Sequence, residues 1–183
     1  MSGRGADDGY SEVLAQLDTE TAANAMAVAQ AVYAGVGLAD RFRDALGVAV
    51  TLETSDSHRE SAIAGTVADV AIDAVALRDR GSGSHWIVPM DAIEAVRGLP
   101  PGHRGPSGVA DGRRSLRTLL RPWSGCDATV ALRRGPLHGR LQRVGADHLQ
   151  LQAGQGSVVV PLAAICWVRV PLPDQSVPGL ALM

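Results

Sequence analysis

The sequence lacks lysine, and several other residue types are scarce. All 17 basic residues are therefore arginines, and aromatic residues make up only 3% of the 183 residues. Two cysteines are too few for a disulfide scaffold, which favours a reducing cytoplasm. No apolar run approaches the roughly 20 residues of a membrane helix, and the first ten residues predict no signal segment. A hydrophobic fraction of 46% is enough for a core built from valine, leucine, isoleucine and alanine.

Charge is distributed unevenly along the chain, although the net charge is only −2. Residues 1–100 hold 7 arginines and 15 acidic residues, a balance of −8. Residues 101–183 hold 10 arginines and 4 aspartates, a balance of +6. Such polarity indicates an anionic partner for the second half or self-association of unlike halves. Codon bias of a GC-rich genome is the alternative explanation.

An internal repeat organises the sequence. Residues 65–77 and 139–151 both follow the pattern G-x-[VL]-x-x-V-x-x-D-x-[VL]-x-L at an offset of 74. Residues 87–97 match residues 159–169 at an offset of 72, and the difference falls in the loop between the two matched segments. We interpret the chain as a duplication.

Each copy alternates apolar and polar residues, which predicts half-buried strands. Five bent strands in about 55–60 residues favour a small closed barrel, which removes exposed sheet edges. Strands should stop at Pro89 and Pro161, because proline has no backbone donor, and a helical turn and a last strand should follow. In the second copy we predict strands at 127–132, 138–144, 147–152, 157–161 and 164–170.

Helices are predicted before the barrels. One short helix places Leu38, Phe42, Ala45 and Leu46 on one face before Gly47, and a second places Leu116, Leu119 and Leu120 together before Pro122. A longer helix over 10–34, with a stripe of Leu14, Leu17, Ala25, Val28 and Val32, ends near Gly35 and Gly37. The predicted organisation is a helical segment at 1–37, a first barrel at 38–98, a linker at 99–112, a second barrel at 113–173 and a tail at 174–183.

Two segments resemble a known family. Residues 130–141 resemble the first two strands of Sm-like barrels, the family of the RNA chaperone Hfq, around an L-x-x-G-x-x-x-x-G turn. Residues 161–168, with Ala164-Ile165, resemble that family's last loop and strand. The whole chain is similar to tandem-barrel proteins of actinobacteria, and other SH3-like small barrels share its spacing of strands and turns. The resemblance implies two tandem Sm-like barrels that join edge to edge through their fourth and fifth strands, within one molecule or between chains.

The family's RNA-contacting positions are not reproduced. The loop position that carries an aspartate in the family is Ala71 or Gly145 here, and segments 89–91 and 161–163 replace the Tyr-Lys-His run of Hfq. The resemblance therefore implies the fold more than the RNA site.

No catalytic set is visible, so we expect a protein that is not an enzyme and needs no cofactor. Segment 81–85 has the serines of a nucleophile turn but suits a hairpin loop better. The five histidines lack metal-ligand spacing, so no metal site is expected. Asp73 and Asp147 recur in the repeat and are expected to hydrogen-bond their own turns. Cys166 suits a core position, and its pairing with Cys126 stays open.

The arginines of the second barrel are the candidate site. Arginine forks bind phosphate, but Trp123 and Trp167 are the only nearby aromatic partners for bases. One hypothesis is RNA or other nucleic-acid binding, and the alternative is a protein–protein adaptor or self-associating module without nucleic-acid contact. The candidate nucleic-acid contacts are Arg113, Arg114, Arg117, Arg121, Arg133, Arg134, Arg140 and Arg143.

Overall fold

The protein is mainly β. The computed structural model describes residues 21–31, 33–55, 62–101 and 114–171. The chain divides into two units, Met1–Gly37 and Leu38–Met183, and all ten described strands lie in the second. Within the first unit, residues 21–31 and 33–34 are helical, so the predicted end of the long helix near Gly35 is confirmed. Its start and Leu14, Leu17 and Val32 lie outside the described residues.

The first copy contains one short helix, five strands and one 3-10 turn. Each strand pairs antiparallel with its neighbours. The elements are the first short helix Leu38–Asp44, β1 Ala49–Thr54, β2 Ala62–Val70, β3 Ala74–Arg78, β4 His85–Pro89, the turn Met90–Ala92 and β5 Ile93–Arg97.

The second copy repeats this order after the second short helix. Its strands confirm the predicted positions to within one residue, except that β7 begins three residues earlier than expected. A 3-10 turn at Arg121–Trp123, which contains Pro122, follows the helix as its predicted stop. The elements are the second short helix Leu116–Leu120, β6 Asp127–Leu132, β7 Gly135–Val144, β8 His148–Ala153, β9 Gly156–Pro161, the turn Leu162–Ala164 and β10 Ile165–Val170.

The ten strands form one open sheet, so the prediction that each copy closes its own barrel was wrong. The order is β5-β1-β2-β3-β4-β10-β6-β7-β8-β9, with β5 and β9 at its two ends. The copies meet where β4 pairs antiparallel with β10, at Ile87 opposite Val168 and Trp86 opposite Arg169. We call this pairing the junction. Each copy covers one edge at the junction, and no described strand pairs with its other edge.

The repeat glycines allow the long strands to serve two ladders. β2 pairs with β1 through Ala62–Thr66 and with β3 from Thr66 onward, and β7 divides its pairing in the same way at Arg140. A Cβ on Gly65 would lie 2.9 Å from the carbonyl oxygen of Arg78, and one on Gly139 would collide with the carbonyl of Gln152. The glycine of the repeat is therefore required by close backbone approach.

The two copies share their hydrophobic cores. One cluster combines the interior of the second copy with Ala74, Ala76 and Ile87 of the first. The other combines the interior of the first copy with Ala131, Cys166 and Trp167 of the second. Strands beside the junction are therefore buried on both faces, and the copies are expected to fold together.

The first short helix buries only part of the apolar face that the sequence predicts. Phe42 and Ala45 are buried, whereas Leu38 and Leu46 are exposed. Gly47 has a positive φ of 78°, in agreement with its predicted role after the helix. In the second helix Leu116, Leu119 and Leu120 are all buried.

Candidate functional site

The start of the second short helix is held by the β2–β3 turn of the first copy. The guanidinium of Arg114 donates to both carboxylate oxygens of Asp69 at 2.8 Å. The carbonyl of Arg114 also accepts the backbone N–H of Ile72 at 2.9 Å. Arg114 was predicted to contact nucleic acid, but the structure uses it as a bidentate link between the copies.

Asp73 completes this attachment. Its Oδ1 accepts the backbone N–H of Leu116 at 2.6 Å, at the first residue of the helix. The expectation that Asp73 bonds its own turn was wrong, because its carboxylate reaches across to the other copy. In Asp147 the equivalent Oδ1 lies 2.8 Å from Nδ1 of His148 instead, and this hydrogen bond lowers the pKa of the Asp147 carboxyl.

Leucines of the helix then cover the outer face of β3 and β4. Leu116 and Leu119 pack in one cluster with Ala74, Ala76 and Ile87. We call this surface of the first copy, from Asp69 to Ala76 together with Ile87, the helix dock.

The remaining candidate arginines do not form one patch. Arg117 and Arg121 lie on the second short helix and the following turn, and Arg113 lies outside the described residues. Arg133 and Arg134 lie in the β6–β7 turn. Arg140 lies at the far end of the same ladder, opposite Asp127, roughly 17 Å away at the usual rise per residue.

Arg140 and Arg143 are brought together. They line an open groove of about 540 Å³ with Gln142, Gln150 and Gly125. Arg140 donates through Nε to the carbonyl of Gly125 at 2.6 Å. Arg143 has no partner among the described residues, so its guanidinium is available to an anionic group.

A smaller cavity of about 190 Å³ is lined by residues of the 3-10 turns Met90–Ala92 and Leu162–Ala164. Asp73, Asp91 and Arg133 supply its charged groups, and Leu116 and Cys166 are among its apolar lining. Two carboxylates in this lining disfavour a phosphate ligand. Arg133 therefore lies in a different electrostatic environment from Arg143.

The β3–β4 hairpin loop holds the serines of segment 81–85. Asp79 accepts hydrogen bonds from the hydroxyl of Ser82 and the backbone N–H of Gly81, and the Ser82 bond above all lowers the pKa of the Asp79 carboxyl. Ser82 and Ser84 also bond each other at 2.9 Å. These bonds describe a hairpin loop, in agreement with the sequence interpretation, and Arg169 of β10 also donates to Ser82 at 3.4 Å.

His85, Trp86 and Trp167 lie on the strands of the junction, and Trp123 packs beside them. The ring of His85 is 5.0 Å from Trp123, and its Nδ1 is buried without a hydrogen-bond partner among the described residues. Burial, and secondarily Arg78, lowers the pKa of His85. Trp86 packs edge-on against Trp167 at 4.9 Å, with the guanidinium of Arg169 over its ring.

Cys166 is buried as predicted, and neither Cys126 nor Cys166 forms a disulfide. The described part of the chain contains no cluster of three or more potential metal ligands. Within the same residues, every helix is too short or too polar to span a bilayer.

No family model and no curated protein matches the chain. The candidate site therefore depends on the geometry of this molecule.

The helix dock was missed by sequence reasoning, although the repeat contained a signal for it. At the repeat position of Asp69 the second copy has Arg143, and alanines 74 and 76 are replaced by His148 and Gln150. Positions where a duplicated sequence diverges in charge indicate surfaces that have different neighbours.

Proposed function

We propose that the chain is a non-enzymatic tandem Sm-like module that works by protein–protein contact through its open strand edges. One observation carries this proposal: β4 and β10 join the copies, while their counterparts β9 and β5 have no strand on their outer sides among the described residues. The fourth strand of one copy thus pairs with the fifth strand of the other. This agrees with the edge-to-edge joining that the Sm-like resemblance implies.

The internal junction defines the register of a contact between two molecules. Ile87 opposite Val168 corresponds by the repeat to Val159 of one molecule opposite Val96 of the next. Val159 is 61% exposed, and unpaired edge strands with apolar side chains are sites of strand addition. The acidic balance of residues 1–100 and the basic balance of residues 101–183 favour the same head-to-tail contact.

Light-scattering mass across a concentration series tests this proposal. We expect the mass to rise with concentration, and Val159→Lys to keep the protein monomeric, because a charged edge side chain opposes strand addition. Gln155→Lys is the matched control, since it adds the same charge in the exposed β8–β9 loop. A protein that is monomeric at every concentration up to the millimolar range contradicts self-association.

Nucleic-acid binding is the second candidate function. The observation that favours it is the groove that Arg140 and Arg143 share with two glutamines. Guanidinium groups bind phosphate, and the glutamine amides offer hydrogen bonds to bases.

Fluorescence anisotropy with a labelled 20-nucleotide single-stranded RNA tests this candidate. We expect the Arg140→Ala/Arg143→Ala variant to bind more weakly and to lower the log–log salt slope by about 1.4, which corresponds to two lost phosphate contacts. Arg133→Ala/Arg134→Ala removes the same charge at the other end of the ladder and should bind like the parent. Equal loss in both variants, or no binding by the parent, contradicts this candidate.

A further inference from the structure

The first copy shows how this fold holds a short helix. Three contacts fix the segment that enters the helix: Arg114 on Asp69, the N–H of Ile72 on the carbonyl of Arg114, and the N–H of Leu116 on Asp73. Leucines then cover the floor of the dock. The dock therefore recognises a basic residue two positions before an apolar helix start.

The second copy has the same backbone at the corresponding turn. In the first copy Asp69 pairs with Ala76, and in the second Arg143 pairs with Gln150 after the same register shift. The bond from Ala71 N–H to Ala74 carbonyl, 2.8 Å, recurs from Gly145 N–H to the carbonyl of His148 at the same length. Position 143 is thus the structural equivalent of position 69.

The side chains at this second turn differ in charge and in cover. Arg143 stands where Asp69 stands, and it is exposed without a partner among the described residues. Val159, the equivalent of Ile87, is exposed, whereas Ile87 is only 1% exposed under the docked helix. Asp147 keeps the carboxylate of Asp73, and His148 bonds it in place of a helix N–H.

We infer that this turn, from Arg143 to Gln150 with Val159, is a second helix dock of reversed charge. It rests on the proposed protein-contact function and names the partner class: a protein segment with an acidic residue two positions before an apolar residue that begins a short helix. The acidic side chain pairs with Arg143 as Arg114 pairs with Asp69. The first helical N–H displaces His148 from Asp147, and the apolar residue covers Val159.

Neither of the two short helices that the structure describes supplies that segment from a second copy, since the second one begins at Leu116 with Arg114 two positions before it. The first short helix begins at Leu38, and the residue two positions before it is Val36. Valine offers Arg143 no counter-charge. Charge complementarity therefore favours a different protein as the occupant, even where a second copy pairs with the β9 edge.

Peptide binding to the isotope-labelled full chain, followed by NMR amide shifts, tests the inference. The probe is a capped peptide of residues 114–123 carrying Arg114→Glu, and the unmodified peptide is its control. We expect the acidic peptide to shift the amides of residues 143–150 and 158–160 with saturation. The unmodified peptide should bind at least tenfold more weakly, because its arginine faces Arg143.

Charge exchange on the protein completes the test. Arg143→Asp should lower the affinity for the acidic peptide at least tenfold and allow the unmodified peptide to bind. Arg134→Asp makes the same charge change in the exposed β6–β7 turn and should change neither affinity. His148→Ala should strengthen binding of the acidic peptide, because it frees the Asp147 carboxylate.

Several results overturn the inference. They are no saturable shift at millimolar peptide, equal binding of both peptides, shifts confined to another surface, or equal effects of Arg143→Asp and Arg134→Asp. Light scattering separates this failure from that of the proposed function. A protein that self-associates but ignores the acidic peptide retains its edge contacts and loses only the second dock.

Discussion

The two copies have the same strand order, turn hydrogen bonds and bend glycines, but they differ in what covers their outer faces. In the first copy β3 is buried at four successive residues, because one face meets its own core and the other meets the second short helix. In the second copy β8 alternates buried leucines with partly exposed glutamines. The two copies share one fold, so the fold of the repeat does not decide whether the outer face of its third strand is buried. What decides it is whether another segment of the chain, here the second short helix, packs on that face.

Polar side chains satisfy one another on the open face of the second copy. Gln142 donates to Gln152 at 3.0 Å, and Gln150 donates to Ser157 at 2.8 Å. At the position of Gln150 the first copy has Ala76, which packs in one cluster with Leu116 and Leu119. The outer face of the first copy is thus apolar where it meets the second short helix, and that of the second copy is polar where it meets solvent or a partner.

The largest expected effect comes from a feature that the copies share. Gly139→Ala should lower the free energy of unfolding by about 2–3 kcal/mol, because its Cβ would overlap a backbone carbonyl that cannot move freely. Gly65→Ala should act in the same direction, and Gly156→Ala, in open space, is the control. Urea denaturation followed by circular dichroism measures the change. Because the cores are shared, we expect one cooperative unfolding transition, and two separate transitions would show that the copies unfold independently.

A smaller effect should separate the copies at an equivalent aspartate. Asp73→Ala should cost about 1 kcal/mol, because the first N–H of the second helix loses its acceptor. Asp147→Ala should leave the denaturation midpoint unchanged, since its carboxylate bonds only the neighbouring His148 side chain and is exposed. Equal loss in the two variants would show that the aspartates act within their own turns.

The smallest effect is expected from pH, at a position where the copies differ. The folded state holds the pKa of His85 below its ordinary value of 6.5, chiefly through burial, whereas Ser157 occupies the same repeat position in the second copy. Between the lowered pKa and 6.5 the unfolded chain binds more protons, so stability should fall as pH decreases through 6.5. Thermal melts from pH 7.5 to pH 5 measure this.

His85→Ser makes the first copy like the second and should remove that part of the pH dependence. The comparison is between the slopes of the melting temperature with pH in the parent and the variant. Parallel slopes would assign the pH dependence to other groups.

Strand positions were predictable because they depend on local pattern. Alternating apolar residues, Pro89 and Pro161 located the strands and their ends, since proline cannot donate to a ladder. Closure was not predictable in the same way. β4 pairs with β3 on one side, and whether its other side meets β5 of the same copy or β10 depends on contacts between residues about 80 positions apart in the β10 case. The local sequence pattern of β4 is the same in both cases.

The candidate arginines show the same division. Their number and clustering in the second half were evident, but Arg114 and Arg143 look alike in sequence. Only the fold places Arg114 on Asp69 and leaves Arg143 open beside Arg140. An acidic counterpart 45 residues away has no local signal, because this ion pair depends on where the segment before the second short helix packs on the first copy.

The sequence by itself determined the duplication, the strands, the bend glycines and the uneven charge, because each of these is set by residue type and short-range periodicity. The tertiary structure alone decided that the copies share their cores, and that in the described part of the chain one edge of each copy has no strand beside it and only the first dock holds a helix. The physical reason is that burial is a property of pairs of surfaces. Two repeats with the same strand order acquire different interiors once one end of each must meet the other.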